Sequence, residues 1–408
     1  MTTPKMREEA IAIVKKNAFD LKNLSNEFQD DYEIVMTAVN VSGYTLKNAS
    51  ERLRDNHEIV LAAVNNYGES LQFASNRLRD YREIVLTAIN SRSCSNGFAL
   101  LYASDRLKDD REIVLVAIHR NGLSLQHASE KLKYNRELVL IAVKQNGRLL
   151  CEDNDIASKF DDDYNVIMHA VSNYGRAFMK ASSRLRNNYK IAFLAVSNNG
   201  CALSYASARL KKKREIALAA VKQNGYVYQT IYDKYKTDRE IIIAAISQKP
   251  DSVNLLCPSI LGYENYKEYI LKAIEININK KKQRGDELLF AQLKLPSKIM
   301  NDYSFILNAV TLDSGIFSTL FIKSIHNYKF FDTIRDDYNI VLAAVTHDSD
   351  LLRHASQRLQ RQFKNYEQRK HFLRVIVENK FLTEKIGNQL LEKVFGNSDI
   401  LKAICSYV

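Results

Sequence analysis

A composition that is 46% hydrophobic over 408 residues, with only 13 Gly and 4 Pro, excludes disordered and collagen-like classes. The formal charge of +12 favours anionic partners, whether nucleic acid, acidic protein surfaces or lipid headgroups, without choosing among them. The five cysteines, Cys94, Cys151, Cys201, Cys257 and Cys405, are odd in number and form no CxxC pair, which fits a reducing compartment and offers no zinc spacing.

Charges from Lys5 to Lys16 interrupt any signal-peptide core, and no run reaches the roughly 18 apolar residues of a membrane span. The expectation is a protein of the cytoplasm, unless a non-classical route exports it.

In chain order, Ile13-Val14 and Lys15 to Asp30 read as a degenerate first unit. A pattern then recurs, at 25 residues in many copies, around an Ala-Val or Ala-Ile anchor at Val39, Val64, Ile89, Ile118, Val143, Val171, Val196, Val221 and Ile246. It returns more loosely at Ile274, Val310 and Val345. Asp55, three residues before Glu58, is predicted to cap a helix, and the same signal stands at Asp30, Asp80, Asp109, Asp162, Thr237, Asn265 and Asp336. Ile59, Val60, Ala63 and Val64 give that helix one apolar face. Gly43, Gly68, Gly122, Gly147, Gly175, Gly200 and Gly225, four residues after the anchors, are predicted to end it in a left-handed turn. Leu71, Ala74 and Leu78 then mark a second helix of about two to three turns.

Such a hairpin of roughly 25 residues cannot bury its own apolar faces, so the predicted fold is all-α, an α-solenoid of stacked hairpins. The period stretches at Ser91 to Asn96, predicted as a protruding loop, and again near Cys151 to Asp155, where an acidic patch is expected. Three of the four prolines, Pro250, Pro258 and Pro296, fall in the irregular stretch, with the basic run Lys280 to Arg284. The predicted organisation is a regular array over 1–246, an irregular, bent segment over 247–335, and last repeats with a C-terminal cap over 336–408. Ile376-Val377 and Ala403-Ile404 read as degenerate end repeats.

By helical geometry the residue before the small Ala of the second helix faces about 130° from the core stripe. The candidate binding residues are therefore the ring, His or Lys of that column with the cation four residues later: Phe73 and Arg77, Tyr102 and Arg106, His127 and Lys131, Lys180 and Arg184, Tyr205 and Arg209. The competing expectation is structural, with Arg77 covering Phe73 or pairing with a capping acid of the next unit. A parallel column, Arg54, Arg79, Lys108, Lys133, Arg186 and Lys211, is predicted to be structural, and Arg209 to Arg214 reads first as a solvated helix junction, with an anion-binding patch as the sharper alternative. No catalytic constellation, metal site or cofactor motif emerges. His347, Asp348, Asp350 and His354 read as polar turn residues rather than ligands. Cys405 to Val408 fits a prenylation box poorly and resembles a PDZ ligand no better than chance allows.

The unit Asp-x-Arg/Tyr-Glu-Ile-Val-Leu-x-Ala-Val-x-x-x-Gly-x-x-Leu-x-x-Ala-Ser-x-Arg-Leu resembles the helical repeat catalogued as domain of unknown function 4116. It is best matched at Asp55–Leu78, Asp80–Leu107, Asp109–Leu132, Asn187–Leu210 and Asp336–Leu359. The resemblance implies candidate effectors of intracellular bacteria and relatives in protists and large viruses, with no agreed activity and hence no catalytic residue to carry over. The expected function is a non-enzymatic protein-binding scaffold of unknown oligomeric state. Its alternatives are nucleic-acid or anionic-ligand binding on the basic helix face, and an enzyme with its site in 247–335.

Overall fold

The computed structural model describes residues 4–91, 98–284, 293, 295–317, 320, 328–347 and 349–363. They are all-α, with no strand among the described residues. The chain divides into two compact units between Lys249 and Pro250.

In residues 1–249 each repeat begins with a helix of nine or ten residues: Tyr32–Val41, His57–Asn66, Arg82–Asn90, Arg111–Arg120, Arg136–Gln145, Tyr164–Asn173, Tyr189–Asn198, Arg214–Gln223 and Arg239–Gln248. The preceding helix Pro4–Lys16 packs on the first of these. Each long helix packs against the long helix before and after it, so the repeats stack as an α-solenoid. The four apolar positions read from the sequence are the buried ones. Ile59, Val60, Ala63 and Val64 are fully enclosed, as are Ile191, Ala192, Ala195 and Val196. Leu71 and Leu78 close the other side of the same core.

The structure corrects three local expectations. The second helix is not continuous. A six-residue 3₁₀ segment, Gly68–Phe73, is followed by extended Ala74 and Ser75 and then by the four-residue helix Asn76–Arg79. The break has a chemical cause in Ser75, whose hydroxyl accepts the N–H of Leu78 and so starts a new helix. The caps of the long helices lie one residue later than predicted. Asp31, Asn56, Asp110, Asp163 and Asp238 accept the backbone N–H groups of the first turn, and Tyr81 replaces the cap in its unit. Asn265, also predicted as a cap, lies inside the helix Tyr263–Arg284.

The third correction concerns glycine. None of the seven repeat glycines has positive φ, which among the described glycines belongs to Gly262 alone (φ 77°). They are small for a different reason: a Cβ on Gly43, Gly68, Gly122 or Gly147 would lie 2.1–2.2 Å from the carbonyl oxygen of an Ala in the next long helix. The backbones of consecutive repeats meet there. The tip of the next long helix seals the contact, with Asn66 Oδ1 accepting the N–H of Gly43 at 2.8 Å and Gln223 Oε1 that of Gly200 at 2.6 Å.

In the second unit, Tyr263–Arg284 packs against Tyr303–Leu312, which packs against Tyr338–His347. The repeat core returns there as Phe305, Ile306, Ala309 and Val310, and as Ile340, Val341 and Ala344. The predicted loop beyond Ser91, the segments at Ile376-Val377 and Ala403-Ile404, and Cys405 to Val408 lie outside the described residues. The side chains of Lys280 to Arg284 do so too.

Because the atom met at Gly122 is backbone, Gly122→Ala is expected to force neighbouring repeats apart and cost about 1–3 kcal/mol. A urea titration reads this as a lowered midpoint, and an unchanged midpoint would contradict the close approach.

Candidate functional surface

The serine that restarts each short helix also reaches back to the previous repeat. Ser50, Ser75, Ser104, Ser129 and Ser182 donate their hydroxyls to Asp30, Asp55, Asp80, Asp109 and Asp162, each standing at the end of the preceding short helix. Two residues later an arginine completes the clamp. Arg77 Nε lies 3.1 Å from Asp55 Oδ1 while its Nη2 donates to the Asp55 carbonyl at 2.8 Å. Arg52, Arg106 and Arg184 repeat this geometry on Asp30, Asp80 and Asp162. The structural alternative thus describes these arginines, with the partner in the preceding repeat rather than the next. Arg209 makes the same contacts to Asn187, an amide in place of the acid.

The predicted pairs of ring and cation do not share a helix face, because the extended Ala-Ser link separates them. Phe73 is half-buried and meets Tyr44 of the previous repeat edge to face at 5.2 Å, and His127 meets Phe98 at 5.5 Å. Burial lowers the pKa of His127, and the charge of Lys108 adds to this. Tyr102 and Tyr205 are half-buried in the same column. Lys180 donates to Asn154 at 2.6 Å, and Lys131 is exposed, two residues after the Ser129 that donates to Asp109.

A second ladder joins the long helices at their first turns. Arg7 pairs with Asp31 and Glu33, Arg82 with Asp110 and Glu112, Arg136 with Asp163, and Arg214 with Asp238 and Glu240. Each is the cation of one repeat set against the cap or first-turn acid of the next. Sequence reasoning missed this ladder, although its signal, an Arg 24 to 28 residues before a capping Asp, was present.

A family model described as Domain of unknown function (DUF4116) matches residues 7–54, 56–108, 93–133, 110–152, 163–211 and 213–261, more than half of the chain. The chain belongs to this family. No curated protein and no solved structure matches it. The DUF4116 matches end at residue 261, yet the clamp recurs beyond them: Ser356 donates to Asp336, and Arg358 Nε lies 3.0 Å from the same carboxylate.

Where the DUF4116 period stretches, the predicted acidic patch is partly consumed in packing. Asp153 caps the helix Asn154–Phe160 and pairs with Lys133 at 3.1 Å, both side chains about nine-tenths buried. Burial alone would lower the pKa of Lys133, but hydrogen bonding and charge from Asp153 raise it on balance. In the parallel column Arg54, Arg79 and Arg186 are half-buried and Lys211 donates to the Ser204 carbonyl. Among the described residues no three His, Cys, Asp or Glu side chains converge in a metal-binding arrangement; Asp348 lies outside them.

Asp153→Asn should keep the cap but leave the Lys133 ammonium only its longer pairings with Asp155 at 3.8 Å and Glu130 at 4.0 Å, at a cost on the order of 3 kcal/mol or less, and Lys133→Met added to it should recover most of the loss in urea denaturation. The clamp has a pH signature as well. Hydrogen bonds from Ser75 and then Arg77 hold Asp55 below the usual carboxylate range, and Ser104 and Arg106 do so for Asp80. Groups with depressed folded values stabilise fully above the unfolded value and lose that contribution as pH falls through the folded one. Asp55→Asn with Asp80→Asn is therefore expected to flatten the decline of Tm between about pH 5 and pH 2.

Proposed function

We propose that the protein is a non-enzymatic scaffold that holds a protein partner along the outer face of its long helices in residues 1–249. One observation supports this above others: that face carries a column of half-buried apolar side chains, Leu61, Leu86, Leu115, Leu140, Met168 and Leu218, continued by Phe193 and bordered by polar residues. The second-helix face first favoured by the sequence has its arginines committed to neighbouring repeats, whereas the outer column serves no contact in the clamp.

An open groove of about 740 Å³ runs beside Leu86, lined by Asn65, Tyr81, Arg82, Thr87 and Asn90 among others. Its mixed apolar and polar lining suits a protein segment. A stack of repeats offers many weak contacts on one rigid surface, which is how extended helical arrays recognise partners. The family resemblance adds to the proposal a role as an effector in a host cell.

Leu86→Glu with Leu115→Glu is expected to preserve helical circular dichroism and abolish capture of partners from a cell lysate. Phe73→Ala with Tyr102→Ala and Tyr205→Ala is expected to lower Tm with capture retained below the new transition. Capture that survives the glutamates and fails with the ring changes would return the site to the second-helix face.

A further inference from the structure

The positive charge of this protein is local. From Tyr164 to Arg214 there are ten Lys and Arg and no Asp or Glu, whereas the rest of the chain is nearly balanced, 49 cations against 47 acids. This stretch is two successive repeats of the array, and the structure shows which acids have been replaced. The clamp position held by Asp30, Asp55, Asp80 and Asp162 becomes Asn187 and then Lys212. The cap, held by Asp110, Asp163 and Asp238 or by Asn56 and Asn135 elsewhere, is Asn188 and then Lys213, whose side chain makes no capping bond. The first-turn Glu58, Glu83 and Glu112 become Lys190.

All these positions lie at one edge of the stack, where the long helices start. Lys190, Arg209, Lys212 and Lys213 are exposed there; Arg209 donates to the side-chain amide oxygen and backbone carbonyl of Asn187, and Lys212 lies 5.6 Å from the centre of the Tyr232 ring. Arg214 is tied forward to Asp238 and Glu240, and Glu215 is the acid that bounds the patch. Four exposed cations without a carboxylate in their own two repeats repel one another, a cost that the other repeats avoid by pairing.

Rings stand among them. Tyr189 occupies the position from which Arg7, Arg82 and Arg136 bridge to the next repeat, so the bridge is missing here. It instead stacks on Phe193 of its own helix, with centroids 6.0 Å apart and planes at 20°, leaving the two 45% and 40% exposed. An exposed stacked pair flanked by lysines provides a flat platform for a base and charges for the phosphates on either side. A duplex hides its base faces, and an acidic peptide would use the charge and leave the rings idle.

We propose that the edge formed by Tyr189, Lys190, Phe193, Arg209, Lys212 and Lys213 binds single-stranded nucleic acid, one base stacking on Tyr189 and Phe193 and the phosphates lying on the lysines. Phe193 is the member of the outer-face column in its own repeat, but Tyr189 and the four cations lie off that column, and the proposal does not depend on the scaffold reading. It differs from the basic ribbon expected over the whole array, because elsewhere the clamp arginines are neutralised.

The test is fluorescence anisotropy of the full chain with a labelled oligothymidylate over a series of salt concentrations. Contact with about four phosphates predicts a slope near −3 in log affinity against log salt. Lys190→Glu with Lys213→Glu should weaken binding at least tenfold. Tyr189→Ala with Phe193→Ala should weaken it roughly fivefold to a hundredfold, with circular dichroism unchanged. Lys15→Glu with Lys16→Glu makes the same charge change on an exposed helix outside the patch and should leave affinity within about twofold. Absence of binding at low salt, or an equal loss in the Lys15 and Lys16 variant, overturns the proposal. So does polyglutamate binding as tightly as the oligonucleotide and indifferent to the ring changes, which would make this an acidic-peptide site.

Discussion

A unit of about 25 residues has more apolar surface than it can cover by itself, so every repeat here is stable only against its neighbours. The requirement sets how close they must come. At the glycines the backbone of one repeat rests on an alanine carbonyl of the next, with no room for a Cβ. Once the backbones are that near, Ile59, Val60, Ala63 and Val64 of one helix close over the same layer in the adjoining repeats.

Directional polar contacts then fix the register of the stack. The serine and arginine of one short helix grip the aspartate ending the previous one, while the first-turn arginines reach to the next cap. These contacts are largely solvent-exposed, and exposed ion pairs are individually weak. Their value lies in repetition and geometry: a hydrophobic layer alone tolerates sliding, and a bidentate contact to one carboxylate and its own carbonyl does not. Asn187 shows that the geometry outlasts the charge, since Arg209 keeps both contacts on an amide.

That separation of geometry from charge makes room for function. Where an acid is needed only as an acceptor, replacing it by an amide preserves the stack and leaves a cation unneutralised. The repeats between Asp163 and Glu215 use that freedom, and carry ten cations with no acid, four of them exposed at one edge.

Much of this was legible in the residues. The 3.6-residue spacing of apolar anchors and their return every 25 residues determined the helices, the buried faces and the stacking, because burial periodicity is a local property of the chain. The acid-free stretch was equally open to reading and needs only a count of charges. The continuity of the second helix was not, since a serine two residues after a 3₁₀ segment either continues a helix or starts one, and the pull of the preceding repeat's aspartate decides. The same holds for the glycines, whose smallness answers to a carbonyl about 20 residues away, and for Arg77, which looks outward in isolation and is turned onto Asp55 by the repeat beneath it. Partners so far apart in the chain meet only in the folded stack, and it is the stack that set cations held by a carboxylate, such as Arg77, apart from Arg209, held by an amide.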